Sequence, residues 1–271
     1  MSASREVWIS NGSQTIQACP KGEFVVPALP ERPRGTAKKL SLIVPTYQEA
    51  GNIQSFLSET CAVLDRRLGT HYEVIVVDDD SPDGTWLKTA QTFDRLPAVR
   101  LLRRVGERGL AGAVIRGYQV ATGELLGTIN ADFQHPPQVL EEMIELIENA
   151  DIVVGSRFCP GGSAENWPPE RLLMSRAAFQ AGKLLLPDVF SGLADPLSGF
   201  YLFRRAVIEG IELKPMGFKT LIEILARGRE GKVAECPYEM RSRRSGTSKA
   251  TIESSLAFLR QLQLLRTTHA V

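Results

Sequence analysis

Three acidic residues stand side by side, Asp78, Asp79 and Asp80, ahead of a Ser-Pro-Asp-Gly-Thr turn. Adjacent carboxylates repel one another, so each needs donors, a cation or water. A solvated turn with an Asx cap explains them as well as a binding role does. A second cluster lies in TINADFQHPP, where Asn130, Asp132 and Gln134 alternate and would share one face of an extended chain, with Pro136 and Pro137 fixing the exit. One carboxylate and two amides on a face can hold Mg²⁺ or Mn²⁺ through oxygen, with water and a substrate phosphate completing the shell. His135 then faces the other way or into the turn, which suits a structural role better than metal ligation. In VPTYQEAGNI, Pro45 is expected to stop a strand ladder, after which Tyr47 offers a flat ring and Glu49 an acceptor, a pairing suited to a nucleobase.

Bases follow the acids along the chain. Arg157 lies in VGSRF, Arg171 just after the Trp167-Pro168 turn, and Arg243, Arg244 and Lys249 in RRSGTSK. Basic side chains beside Gly and Ser, where backbone N–H groups come close, suit a phosphate or diphosphate. Any one of these arginines alone reads as a surface charge, so the inference rests on the set. A competing pattern is Gly106, Gly109 and Gly112 after VRLLRR, with Asp132 about 20 residues on, which imitates a dinucleotide-binding loop. Its spacing is GxxGxxG, not GxGxxG, and it follows the third candidate strand instead of the first, so it counts for little.

These residues need a frame. Short β-branched runs at 40–44, 72–77, 99–103, 124–129 and 151–155 alternate with candidate helices at 52–68, 85–93, 110–121 and 139–148. Near-continuous Val, Ile and Leu predicts strands buried on both faces. The βα alternation predicts an α/β fold with an open, mostly parallel, doubly wound sheet, whose ligand sits beyond the carboxyl ends of the strands. Every polar cluster of the first half falls at such an end. Further on, a loop at 165–171 leads into a helix through Leu184, 195–205 reads as turn then strand, 219–228 as helix and 232–240 as strand. Three regions result: an extended or poorly ordered arm over 1–38, a catalytic domain over 39–250, and an amphipathic helix over 251–271. That last helix either packs on the domain or rests on a membrane surface.

Composition excludes several classes. With 271 residues, 43% hydrophobic, 23% charged and a net charge of +1, the chain is neither disordered nor a disulfide-stapled mini-fold, and no nucleic-acid partner is expected. Four scattered cysteines, Cys19, Cys61, Cys159 and Cys236, lack metal-finger spacing and read as inert thiols. No apolar run approaches the roughly 20 residues of a membrane span, and no signal peptide is apparent, so a cytoplasmic location, at most peripheral to the membrane face, is expected.

Taken in order, VPTYQEAGNI, VVDDDSPDGT, GLAGAVIRGYQVATG, NADFQHPP, VGSRF, ENWPPER, DPLSGF and RRSGTSK resemble the catalytic domain of the dolichyl-phosphate mannosyltransferases, within the family 2 glycosyltransferases. The resemblance covers about residues 40–250. It implies a nucleotide-diphospho-sugar transferase fold of the GT-A type. By motif match, Pro45, Tyr47, Glu49, Val76 and Asp78 would line the guanosine. Asn130, Ala131, Asp132 and Gln134 would hold metal and diphosphate, with Asn130, Asp132 and Gln134 as the metal ligands. Arg157, Arg171, Arg243 and Lys249 would grip phosphates, and Asp132 and Arg157 would carry catalysis.

The implied reaction moves a hexose, mannose first, from GDP-mannose to a polyprenyl phosphate with inversion. Its partners are a nucleotide sugar, a lipid phosphate, and a membrane surface or membrane-anchored protein. The family usually has Asp-Ala-Asp where this chain has Asn130-Ala131-Asp132, which implies weaker metal affinity. UDP-glucose or another donor, or a non-catalytic nucleotide-sugar binding module, are the alternatives.

Overall fold

The apolar runs of the first half form parallel strands because each finds helices on both faces. The computed structural model of the chain describes Gln17 and residues 19–29, 38–164, 167–244 and 252–269. In chain order the elements are β1 (Lys38–Thr46), α1 (Ile53–Leu68), β2 (Tyr72–Asp78), α2 (Thr85–Ala90), β3 (Val99–Arg103), α3 (Leu110–Val120), β4 (Gly123–Thr128), α4 (Leu140–Leu146), β5 (Ile152–Ser156), α5 (Pro169–Leu185), α6 (Pro187–Phe190), β6 (Tyr201–Arg204), α7 (Thr220–Arg227), β7 (Val233–Pro237) and α8 (Ile252–His269). The strands form one sheet in the order β3-β2-β1-β4-β6-β5-β7. Pairing is parallel between β1 and β2, β1 and β4, β2 and β3, and β5 and β7, while β6 runs antiparallel between β4 and β5.

The two-residue period of a strand divides the core between the faces. Leu42, Val44 and Val76 pack with Phe56 and Leu64 of α1 and Met143 of α4. Their neighbours Ile43, Ile75 and Val77 point the other way, to Val114 and Tyr118 of α3 and Leu221 and Ile224 of α7. Gly117 lets α3 approach: a Cβ there would come within 2.6 Å of Ile43 Cγ2. A third cluster joins α8 to α6 and α7 through Phe190, Ile222, Phe258, Leu262 and Leu265. Each such side chain, fully buried, contributes about 1.5–3 kcal/mol.

Residues 19–29 run extended along the α3 side. The Gly210 N–H donates to Val26 O and the Leu213 N–H to Phe24 O, both at 3.0 Å. The Gln119 amide donates to Glu23 O at 2.8 Å and to Val25 O at 3.0 Å, and the Arg116 guanidinium lies 3.9 Å over the Phe24 ring.

Two local expectations are corrected. Pro45 does not stop the ladder: β1 continues to Thr46, opposite Asp78 of β2. Pairing with β4 has ended at Ile43 and Thr128. Ile43 O still accepts from the Ile129 N–H on the β4 side, so by strand period the missing N–H of Pro45 falls where β4 has turned away. Likewise 130–134 is not extended. Phe133 has φ of 63°, and the Asp132 Oδ1 accepts the Gln134 N–H at 3.0 Å, so this stretch is a turn and strand alternation does not place its side chains.

Candidate active site

The carboxyl ends of β1, β2, β4 and β5 carry the acidic clusters, Tyr47 and Arg157, while Arg171 lies in α5 and Arg243 and Arg244 follow β7. Strand order reverses between β1 and β4, the position where open α/β sheets leave a crevice. Three non-glycine residues with positive φ mark the same ends: Gln48 after β1, Asp80 after β2 and Phe133 after β4. Backbone of that kind carries a cost of order 1–3 kcal/mol per residue and collects at functional sites.

Each of the three adjacent aspartates finds its own donors. The buried Asp78 accepts from the Ser81 N–H at 2.8 Å and from the hydroxyls of Thr46 and Ser81 at 2.7 Å each. Burial raises its pKa. Its carboxylate ties the β2–α2 turn to the end of β1. Asp79 accepts from Arg104 Nη1 and from the Gly109 N–H, both at 2.7 Å, at the start of α3. Burial pushes Asp79 up to about 6 against these donors. Asp80 pairs with Arg103, which lies 3.9 Å over the Trp86 ring. Two glycines of the dinucleotide-like pattern are therefore committed within the chain: the Gly109 N–H holds a carboxylate, and a Cβ at Gly112 would sit 2.8 Å from Arg104. The Val76 side chain is fully buried in the core.

Half-buried Pro45 and Tyr47 stand at the end of β1, with the Arg108 guanidinium 4.8 Å over the Tyr47 ring. Glu49 is buried and accepts from the Asn52 amide at 2.8 Å, while its backbone N–H donates to the Thr85 hydroxyl at 2.9 Å. Below it lies the β4 turn. Ala131, Asp132 and Gln134 are buried and Asn130 is half-buried. His135 is buried and stacks on Phe200 with centroids 5.2 Å apart, and burial, then the charge of Arg157, lowers its pKa to about 3. It is a neutral ring that supports the turn.

A metal bound at this turn would meet one carboxylate, Asp132, with the amide oxygens of Asn130 and Gln134 close in sequence. Among the described residues no three His, Cys, Asp or Glu side chains gather into a metal-binding group. This donor set fits Mg²⁺ or Mn²⁺, which keep several waters and take one or two carboxylates plus substrate phosphates. It does not fit an ion held by protein ligands alone.

The cations converge from distant segments. Arg157, at the end of β5, is buried and donates from Nε and Nη2 to the two oxygens of Asp195, each at 2.6 Å, while its backbone N–H reaches Oδ2 at 3.1 Å. Burial works against the guanidinium charge, but Asp195 outweighs it and the pKa is raised. Trp167 lies between two arginines, with Arg157 4.8 Å and Arg171 4.1 Å from its ring. Burial, then the charges of Arg157 and Arg243, lower the Arg171 pKa, the mark of crowded positive charge. Arg243 bridges two carboxylates, Asp132 at 2.8 Å and Glu49 at 3.3 Å. Its neighbour Arg244 lies 3.8 Å over Phe133 and pairs with Glu59 at 3.0 Å. Lys249 lies outside the described residues.

Two members of the site were not assigned from sequence. Asp195, which fixes Arg157, sits in the DPLSGF segment, where an acid before proline was the available signal. Lys219 donates from Nζ to Leu197 O at 2.6 Å in the same segment, and burial, then Arg157, lowers it to about 7. Nothing in its local sequence distinguishes it from a surface lysine.

Fold and site together define an α/β protein that gathers cations and a carboxylate at the sheet's switch point, as a phosphorylated ligand requires. The chain belongs to glycosyl transferase family 2, whose model matches residues 41–211. It is 43% identical over 228 residues to a dolichol-phosphate mannosyltransferase of Pyrococcus furiosus, an alignment covering 84% of this chain and 63% of that protein. It is 32% identical to the dolichol-phosphate mannosyltransferase of Saccharomyces cerevisiae, with 83% of this chain and 86% of that protein covered. An undecaprenyl-phosphate mannosyltransferase of Micrococcus luteus is 33% identical, with 76% and 85% covered.

Among solved structures, glucosyl-3-phosphoglycerate synthase from Mycobacterium tuberculosis, in complex with Mn²⁺, UDP and glucosyl-3-phosphoglycerate, superposes with a TM-score of 0.64 at 19% identity, covering 90% of this chain and 87% of that one. Mannosyl-3-phosphoglycerate synthase from Rubrobacter xylanophilus gives 0.62 at 20% identity, covering 86% and 76%. These likenesses establish the GT-A fold.

Proposed function

We propose that the chain transfers mannose from GDP-mannose to a polyprenyl phosphate of the dolichyl type, with inversion at the anomeric carbon. The observation that carries this reading is the convergence of Arg157, Arg171 and Arg243 on the region of Asp132 and Trp167, where two phosphorylated substrates would meet. The mannosyl and polyprenyl choices rest on the names of the relatives.

A phosphate monoester has a second pKa of about 6, so the acceptor is already anionic near neutrality and needs no strong general base. This agrees with a site whose one histidine, His135, is a buried neutral ring. An acceptor phosphate oxygen attacks the anomeric carbon as that carbon's bond to the donor's diphosphate oxygen breaks. The bonding pair leaves on the nucleoside diphosphate. Asn130, Asp132 and Gln134 would hold Mg²⁺ or Mn²⁺, which supplies Lewis-acid stabilisation of the diphosphate charge when bound. Arg157, aimed by Asp195, and Arg171, aimed by Trp167, screen the repulsion between donor and acceptor. Tyr47, with Arg108 over its ring, and Glu49 provide a stacking face and an acceptor for the base.

A lipid acceptor fits the surface. No helix among the described residues is long and apolar enough to cross a membrane. However, α5 and α8 pack together and expose Leu173, Met174, Leu184, Leu256 and Leu259, with Arg176, Lys183 and Arg260 also exposed on the same helices. Apolar side chains flanked by bases support peripheral docking at the cytoplasmic membrane face, directly or beside an anchored partner.

Bound UDP in the M. tuberculosis neighbour keeps a second donor in view. Calorimetric titration with GDP and UDP in the presence of Mg²⁺ separates the two. GDP is expected to bind about tenfold tighter or better, a difference of about 1.4 kcal/mol. Equal or tighter binding of UDP would move the assignment to a UDP-hexose donor.

A further inference from the structure

We infer that Arg243 is a built-in competitor of the divalent cation: it holds the Asp132 carboxylate in the metal-free protein and must leave it for the metal to bind. Arg243 Nη2 lies 2.8 Å from Asp132 Oδ2 and Nη1 lies 3.3 Å from Glu49 Oε1. Asp132 is nearly sealed, with 4% of its side chain exposed, whereas Arg243 retains 21% and sits nearer the solvent. The other Asp132 oxygen, Oδ1, already accepts the Gln134 N–H. A cation ligated at Oδ2 would therefore meet a guanidinium on the same atom, with like charges in direct opposition. One carboxylate cannot neutralise both.

The Asn130-Ala131-Asp132 sequence makes the competition sharper. Asn130 is a neutral ligand, so no second carboxylate of the triplet can receive the metal while Asp132 keeps its arginine. The segment bearing Arg243 is anchored beside the turn by backbone bonds, from the Arg241 N–H to Gln134 O at 3.2 Å and from the Arg244 N–H to Asp132 O at 3.4 Å. Release thus asks only for the side chain to swing. A guanidinium displaced there faces the diphosphate that arrives with the metal, and it can exchange two carboxylates for phosphate oxygens. Metal and nucleoside diphosphate are then coupled through one side chain, each raising the affinity for the other.

The inference rests on Asp132 being a metal ligand, and the test separates the two claims. Mn²⁺ binding to the nucleotide-free protein is followed by the electron paramagnetic resonance signal of free Mn²⁺. The Arg243→Gln variant is expected to bind Mn²⁺ about tenfold tighter than the parent, and Arg243→Lys, which keeps the charge, to stay within about twofold of it. An affinity in Arg243→Gln that is unchanged or weaker, or no binding in either protein, overturns the competition. If Asp132→Asn abolishes binding while Arg243→Gln leaves it unchanged, the metal ligand stands and only the competition fails. Mn²⁺ binding that survives Asp132→Asn overturns the ligand assignment itself.

Discussion

Replacing Asp195 by alanine is expected to lower the melting temperature by about 10 °C and to abolish transfer. The carboxylate is 1% exposed and its partner Arg157 5% exposed, and two hydrogen bonds of 2.6 Å join them side by side. Breaking a buried pair by removing one partner costs about 3–5 kcal/mol, because the remaining charge is left without compensation. For a domain of this size each kcal/mol corresponds to about 2–4 °C. The same change frees Arg157 from the direction that Asp195 imposes, so activity falls even below the temperature at which the variant unfolds. Scanning calorimetry and a transfer assay at a temperature where both proteins are folded test the two consequences. A variant that melts with the parent and keeps its turnover contradicts this account of Arg157.

Replacing Asp132 by alanine is expected to reduce kcat/KM by about a thousandfold or more while the melting temperature moves by only about 2 °C. Asp132 is the one carboxylate of the Asn130–Gln134 turn, and on the proposed reading its loss would remove the anionic ligand from a site already short of charge. A thousandfold corresponds to about 4 kcal/mol of transition-state stabilisation, within reach of a Lewis acid at a departing diphosphate. Stability changes little because Arg243, left behind, is partly exposed and still has Glu49 at 3.3 Å. Steady-state kinetics at saturating Mg²⁺, with a parallel thermal melt, decide the matter. Turnover near the parent value would remove Asp132 from the chemistry.

The frame of this site was legible because its determinants are local. The YEVIVV run reads as a strand buried on both faces, and β2 is buried at every position. The helix between 52 and 68 carries apolar residues at helical spacing, and Phe56, Leu57 and Leu64 are buried where that spacing puts them. What escaped depends on contacts between distant segments. Nothing in YLFR says that it will lie reversed between β4 and β5, since its partners, such as Thr128 for Tyr201 and Ile152 for Phe203, are distant along the chain. Arg157 was recognisable as a cation at a strand end, but its aim comes from Asp195, 38 positions on. The alternation of Asn130, Asp132 and Gln134 suggested one extended face, and the left-handed Phe133 between them bends that face into a turn. Asp78 shows another long-range dependence: the hydroxyl of Thr46, 32 positions earlier, and the N–H and hydroxyl of Ser81 hydrogen-bond its two oxygens, and only the Ser81 contact is local in sequence.

Lipid-linked product is the most direct measure of the central claim. Purified protein incubated with GDP-mannose, a polyprenyl phosphate and Mg²⁺ or Mn²⁺ is extracted into organic solvent and read by mass spectrometry. The account predicts a polyprenyl phosphate heavier by one hexose, dependent on the metal and absent in Asp132→Ala. GDP-mannose that binds but yields no such product under any of these conditions would contradict it, and would leave a nucleotide-sugar binding protein in its place.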